Sequence, residues 1–287
     1  MNKNEKRPPE LLCIGLLCHD LYQGRNLLGG TASYSSIMAS HLGLSTAVLT
    51  SVGADFEFNA VFDQYQIEVH NILAPQTTVF ENTYQNGERR QYLHARAHTL
   101  FPKHLPLAWQ QIPIVKFCLI ADEADPSFLP FFPHALIAAT IQGWLRQWDA
   151  QGRVSSKPMN WELLRHVDIV FMSNDDIAGY EAALPRIIEL VPIVVMTKGK
   201  EGATIWQAGR LFDFPAFPTQ EVDPTGAGDI FAASFLVKYR QSGHIEQAAA
   251  FAHSAASYIV EDYGIKIPSI EAIEDRCALY LKHWLNY

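Results

Sequence analysis

The densest chemistry in this chain of 287 residues lies in one run, Glu221-Val222-Asp223-Pro224-Thr225-Gly226-Ala227-Gly228-Asp229-Ile230-Phe231. Two glycines within three residues let the backbone approach a ligand closely. The helix predicted to follow turns unpaired N–H groups and the positive end of its dipole toward the same spot. Gly226, Ala227 and Gly228 therefore form a candidate anion hole. An acid at its rim, Asp229, would repel a bound phosphate, so it needs a reason to be there. General-base work is one: the carboxylate takes the proton from an attacking hydroxyl while the amides stabilise charge on a transferred phosphoryl group. The same residues also suit a plain helix start, with Asp229 capping and the glycines in a tight turn. A dinucleotide fingerprint fits less well, because Gly226-x-Gly228-x-x-Phe231 lacks the third small residue and comes late in the chain. A P-loop also fits less well, since Gly199-Lys200 is followed by Glu201.

Alternating apolar runs and helical stretches must position this segment. Leu11 to Leu17, Thr46 to Val52, Ile114 to Ala121, Ala135 to Ile141, Val167 to Met172 and Ile193 to Thr197 read as buried strands. Thr31 to Leu42 reads as a helix with Gly43 past its end, and Asp176 to Leu190 as another. Strands alternating with helices predict an α/β fold, a largely parallel sheet covered on both faces. Ligands of such sheets sit beyond the carboxyl ends of the strands, where Asp20, Asn174 and Thr197 fall. Three helices close the chain: Ile230 to Gln241, Ile245 to Asp262, and Ser269 to Leu285 with Ser269 as N-cap. Thr77 to Tyr84 and Glu88 to Ala95 break the rhythm, as two polar strands joined through Asn86-Gly87, a dipeptide suited to a type I′ turn. Neither face is uniformly apolar, so the ribbon belongs outside the main core. A flap over a site, a pairing surface for a second subunit and a plain exposed hairpin all fit it.

Composition narrows the partners. With 48% hydrophobic residues the chain has ample material for a core, and no apolar run approaches the roughly 20 residues of a membrane span. The balance of 22 basic against 30 acidic residues argues against a nucleic-acid surface. A small anion remains compatible, held by backbone amides and a divalent metal. The four cysteines, Cys13, Cys18, Cys118 and Cys277, show no CxxC or zinc spacing, which predicts a reduced, cytoplasmic protein. Residues 1–10 read as a short frayed tail without a signal core.

Taken whole, Asp223-Pro-Thr-Gly-Ala-Gly-Asp229, followed by Ile-Phe and small residues, closely resembles the C-terminal signature of the ribokinase-like (PfkB-type) carbohydrate kinases. Gly29-Gly30, a helix closing at Leu42-Gly43, and Val52-Gly53-Ala54-Asp55 resemble that family's N-terminal signature. Val194 to Gly199 with Gly202 is similar to its nucleotide-side strand and loop. The resemblance runs from about residue 11 to about residue 264 and implies one three-layer α/β sandwich over the whole chain. Its small β-sheet lid would come from segments near 18–28 and 77–98. The implied reaction is ATP-dependent phosphorylation of a hydroxyl on a sugar, polyol or nucleoside, with Mg²⁺ and room for a monovalent cation. Position by position, Asp229 matches the catalytic base and Gly226, Ala227 and Gly228 the anion hole. Asp20 matches the acid that grips substrate hydroxyls, and Gly29 and Gly30 the pair that hinges the lid. Thr197, Gly199, Asn174, Thr225, His253 and Gly264 would line the nucleotide. Two chains would pair through their lids.

The chain departs from the pattern at three places. Tyr34 stands where many members carry Asn, so a phenol replaces an amide against the substrate. Gln142-Gly143-Trp144-Leu145-Arg146 replaces the usual spacing of acid, Asn and Arg, with Gln142 facing the site. An acceptor that already carries a phosphate is then disfavoured, unless Arg146 or Arg90 serves it. Similarity to plant inositol kinases around Ile141-Gln142 favours a polyol or unphosphorylated sugar. The family's Asn-x-x-Glu element, which organises Mg²⁺ through water, appears as Asn174-Asp175-Asp176-Ile177. Ile177 cannot ligate; Asp176 can supply the carboxylate through water, or the three residues merely cap a helix. His253, in place of a frequent Asn, suits either the adenine or a packed core. These departures motivate a second expectation, a fold relative that binds ligand without turnover. A nicotinamide oxidoreductase conflicts with the late glycine motif. His19, His94 and His98 would approach the substrate if the lid forms.

Overall fold

The computed structural model describes residues 8–85 and 88–284. Nine strands form the central sheet: β1 (Leu11–Ile14), β4 (Thr46–Thr50), β5 (Glu68–Asn71), β8 (Ile114–Cys118), β9 (Leu136–Thr140), β12 (Ile169–Ser173), β13 (Ile193–Thr197), β14 (Ala203–Gln207) and β15 (Arg210–Phe214). Their order across the sheet is β15-β14-β13-β12-β9-β8-β1-β4-β5, parallel from β13 to β5 and antiparallel at the β13-β14-β15 edge. Strand alternation divides the core into two layers. Leu11 and Cys13 of β1 face one layer, and Leu12 and Ile14 the other.

On the first face lie α1 (Thr31–His41), α2 (Asn59–Gln64), α4 (Ala227–Ser242) and α5 (Ile245–Ile259), with α6 (Ile270–Trp284) outside α5. Among the described residues the opposite face carries one α-helix, α3 (Leu184–Leu190), and is otherwise roofed by 3₁₀ turns such as Pro126–Phe131 and Trp161–His166. Prolines at 102, 106, 126, 130 and 133 stop longer helices there, because each removes a donor and clashes with the preceding turn. The expected helix from Asp176 is shorter than predicted for a related reason. The Asp176 carboxylate accepts from the Ser173 amide at 2.7 Å while its own amide donates to Ser173 Oγ at 3.1 Å, which closes a turn. The helix restarts only at Leu184, with Pro185 in its first turn.

A second sheet of four strands stands apart. It comprises β2 (Cys18–Tyr22), β3 (Arg25–Gly29), β6 (Thr78–Gln85) and β7 (Glu88–Ala95), in the order β3-β2-β6-β7. Gln85 pairs with Glu88; the Asn86-Gly87 turn and the expected frayed start at 1–7 lie outside the described residues. A short ribbon, β10 (Arg146–Trp148) with β11 (Val154–Ser156), completes the elements. The mixed polarity of β6 now has a cause. Thr78 and Phe80 are buried on the face that also presents Asn82 to a cleft, while the other face carries Glu81. All four cysteines are buried and free, and among the described residues no helix is long and apolar enough to cross a membrane.

Candidate active site

A cleft of about 450 Å³ opens between the small sheet and the carboxyl ends of the central strands. The small sheet contributes Cys18, Asp20, Phe80, Asn82 and Gln91; α1 contributes Gly30, Thr31 and Tyr34. The strand ends add Thr140, Gln142, Asp175, Asp176 and Thr197, and the loop into α4 adds Thr225, Gly226, Gly228 and Asp229.

The start of α4 bears on one part of the plain reading of the glycine run, the capping role of Asp229. Gly226 is the N-cap and no side chain caps the helix, so Asp229, in its first turn, does not serve as a cap. Asp223 shapes the approach instead, its Oδ1 accepting from the Thr225 amide at 2.9 Å. The Ala227 amide donates to the Pro224 carbonyl at 3.2 Å, and the other first-turn N–H groups, without a capping side chain, remain available to an anion. Gly226 adopts φ +80°, and a β-carbon there would lie 2.1 Å from Tyr34 Cε1. Tyr34 thus packs directly onto the turn, and the two residues require each other.

Asp229 sits partly buried in the cleft. Loss of water pushes its carboxyl above the usual range. The Lys116 ammonium, the Thr31 hydroxyl and the Arg146 guanidinium pull it back, and Asp176 adds to the rise. A carboxylate with a raised pKa is a better proton acceptor, provided it stays ionised. The Tyr34 hydroxyl is held firmly protonated, by burial first and then by the Asp20, Asp229 and Asp223 carboxylates around it.

Asp20 leans across β3 onto Gly29: a β-carbon at Gly29 would lie 2.3 Å from Asp20 Oδ2. Opposite, three side chains form a relay. Arg146 donates to Gln142 Oε1 at 2.7 Å, and Gln142 Nε2 donates to Thr31 Oγ1 at 2.9 Å. Arg146 also donates to the Ile120 carbonyl at 3.1 Å and lies 5.8 Å from the Phe80 ring centroid. Gln91 Nε2 donates to Asn82 Oδ1 at 3.1 Å across β6 and β7.

The sequence brings some residues to the cleft and misplaces others. Asp20, Gly30, Tyr34, Gln142, Asp176, Thr197, Thr225, Gly226, Gly228 and Asp229 line it. Gly29 and Ala227 flank lining residues. The Asn174 backbone N–H donates to the Thr197 carbonyl at 3.1 Å, and Asn174 is not in the cleft lining, which Asp175 joins instead. Gly199 and Gly264 lie in turns outside the lining. His253 corrects a nucleotide-side expectation: it is buried between α4 and α6, 4.8 Å from the Phe231 ring and stacked 5.6 Å from Tyr280. Burial pushes it down to about 3, so it is a neutral core residue. The histidines expected near the substrate are elsewhere too. His19 packs between Phe56 and Phe58, His94 bonds Glu81 at 2.7 Å, and His98 is not in the lining.

Thr31, Phe80, Asn82 and Gln91 were not singled out by sequence. The i, i+2 spacing of Phe80 and Asn82 was the available signal for two of them. Among the described residues no cluster of three His, Cys, Asp or Glu side chains makes a protein cage for a metal. Asp175, Asp176 and Asp229 all line the cleft, and their carboxylates are oxygen donors of the kind a hydrated Mg²⁺ accepts.

The central sheet with its smaller companion is the ribokinase fold. It superposes on a pyrophosphate-dependent kinase in the ribokinase family, complexed with a pyrophosphate analog and myo-inositol, with a TM-score of 0.79. That match has 22% identity and covers 92% of this chain and 99% of that one. A nucleoside kinase of Methanothermobacter thermautotrophicus is 29% identical over 258 residues, spanning 84% of this chain and 80% of its own. The ribokinase of Bacillus subtilis is 30% identical over 271 residues, 86% of each. The model of the pfkB family carbohydrate kinases matches residues 22–272. The chain belongs to this family and is a carbohydrate kinase.

Proposed function

We propose that this kinase transfers the γ-phosphoryl group of ATP to a hydroxyl of a neutral polyhydroxylated acceptor: a sugar, a polyol or a nucleoside. Asp229 takes the hydroxyl proton as the oxygen attacks phosphorus, and the bond from phosphorus to the bridging oxygen of the donor breaks. The amides of Gly226, Ala227 and Gly228 meet the charge gathering on the transferred group. Asp20, Asn82 and Gln142 orient the acceptor, Phe80 and Tyr34 flank its carbon frame, and the small sheet acts as a lid. Thr197 and Thr225 lie on the donor side. Asp175 and Asp176 would hold Mg²⁺ through water, where the ion supplies neutralisation of the donor phosphates.

Charge supports a neutral acceptor. Among the described residues, Asp20, Asp175, Asp176 and Asp229 line the cleft with one guanidinium, Arg146, which already bonds Gln142 and the Ile120 carbonyl. The observation that carries the reading is the position of Asp229, in one cleft with Asp20 and beside an uncapped helix start.

The test replaces Asp229 with Asn and measures turnover with ATP or pyrophosphate against a panel of polyols, sugars and nucleosides. Turnover should fall roughly 10²- to 10⁴-fold while thermal shifts still report donor and acceptor binding. A variant that keeps most of its turnover removes Asp229 from the base role. A parent protein that binds acceptors but transfers phosphate to none would overturn the assigned reaction.

A further inference from the structure

Two of the connections between the small sheet and the body meet at one short loop, 120–123, just beyond β8. Glu123 closes this loop from inside and is 0% exposed. Its Oε1 accepts from the Leu16 amide at 3.2 Å and from the Ile120 amide at 3.0 Å. Its Oε2 accepts from the Ala121 amide at 2.7 Å and again from Ile120 at 3.1 Å. A carboxyl group has two accepting oxygens, so it can serve three diverging amides at once. Two of those amides belong to the loop itself, but Leu16 lies in the connection from β1 into β2. One buried acid therefore ties the first root of the small sheet to the loop.

Arg96 does the same for the last root. It stands directly after β7, half-buried, and its Nε donates to the Ala121 carbonyl at 2.8 Å. One Nη reaches the Asp122 carbonyl at 2.8 Å and Thr99 Oγ1 at 3.0 Å, and the other the Ala97 carbonyl at 3.3 Å. Asp122 turns the loop at φ +54° and pairs its carboxylate with Lys157. The Ala97 amide donates to Thr78 Oγ1 at 2.9 Å, which brings the start of β6 into the same knot. Leu16, Phe80, Leu93 and Ala97 pack with Ile120 and Ala121 in one apolar cluster. The loop also belongs to the cleft. Ile120 lines it, and the Ile120 carbonyl accepts from Arg146, the partner of Gln142.

We propose that Glu123 and Arg96 are positioning residues of the phosphoryl transfer, the two sides of a clamp that seats the small sheet over the acceptor. The inference rests on the reading of the small sheet as a lid. Held by both side chains, the lid and the Ile120 wall keep one spacing. The acceptor then meets Asp20 and Asn82 on one side and Gln142 on the other. Without the clamp a smaller fraction of molecules has the lid seated, and the apparent acceptor affinity falls with that fraction. The donor side does not hang from this loop: Thr197 ends β13 and Thr225 precedes α4. The clamp therefore acts on the acceptor and spares the donor.

The test compares Glu123→Gln, Arg96→Met and both together, with Arg96→Lys as the conservative variant. Glutamine keeps one accepting oxygen and turns an NH₂ group toward the remaining amides; the half-buried arginine carries the test if that variant does not fold. The first readout is amide hydrogen exchange without ligands. Residues 16–22 and 91–97 should exchange roughly tenfold faster, while β9 and β12 keep their protection. Unchanged exchange at the roots, or equal acceleration throughout the chain, would overturn the clamp. The second readout is steady-state kinetics with ATP and the best acceptor of the polyol, sugar and nucleoside panel. The acceptor KM should rise about tenfold in either single variant with the donor KM retained, and Arg96→Lys should recover part of the loss. Both side chains act on one loop, so the double variant should lose little more. Equal changes in both KM values would overturn the proposal, as would strictly additive losses. Phe80→Ala, in the lid itself, separates the two readings. If it leaves the acceptor KM unchanged, the small sheet is not a lid, while the exchange data still decide whether the clamp holds its roots.

Discussion

Replacing Gly226 with alanine probes the contact on which the candidate anion hole depends. Gly226 has φ +80°, and the new β-carbon would lie 2.1 Å from Tyr34 Cε1 and 2.5 Å from Cδ1. Two costs follow from different causes. A non-glycine residue in the left-handed region costs about 1–2 kcal/mol. Overpacking a filled interior adds about 1–3 kcal/mol, and Tyr34 has little room to retreat, being 3% exposed among Met38, Ile230 and Ala233. The variant should be roughly 3 kcal/mol less stable, which for a chain near this size lowers the melting temperature by roughly 6–12 °C. Urea titration gives the free energy directly, and the double variant with Tyr34→Ala separates the two causes. With the ring removed, Gly226→Ala should cost only about 1–2 kcal/mol. Turnover should fall in step, since moving the amides by about 1 Å can cost roughly 100-fold in rate. If Gly226→Ala costs the same with and without the tyrosine ring, the packing of Tyr34 on the turn is not what fixes this glycine.

Two further predictions concern the core and the acceptor side. His253 is held neutral in the fold by burial, pushed down to about 3 from 6.5, whereas the unfolded chain protonates it. Its stabilising share is therefore complete above about pH 6.5 and is lost as the pH falls toward 3. His253→Leu should flatten the acid loss of stability, by about 2 kcal/mol at pH 5; denaturant midpoints across pH 4–8 check this, and an unchanged slope refutes it. Gln142→Leu takes one partner each from Arg146 and Thr31. It should raise the acceptor KM about tenfold and leave the donor KM alone, whereas equal changes in both would detach Gln142 from the acceptor.

The pH dependence of the reaction also has a direction. Because poor hydration raises the Asp229 carboxyl, activity should decline with falling pH above the range of an ordinary aspartate.

What the sequence by itself determined is whatever is written in contiguous residues. Apolar runs such as Ile193–Thr197 marked strands because burial on both faces leaves no polar position, and that strand has the expected ends. The run from Asp223 to Asp229 foretold a turn, a helix start and an acid at one place, since all three are fixed by local backbone geometry. Tertiary structure alone decided the rest. It turned His253 into a core residue, because α4 and α6 close on it with aromatic rings. Proline-rich connections left one face of the sheet to 3₁₀ turns, a matter of which short segments can reach across it. It also joined Gln142 to Thr31, 111 residues apart, and Lys116 to Ser35, 81 apart. Such pairs leave no mark in linear spacing, because hydrogen bonds and fields act through space, and only folding fixes which distant side chains share it.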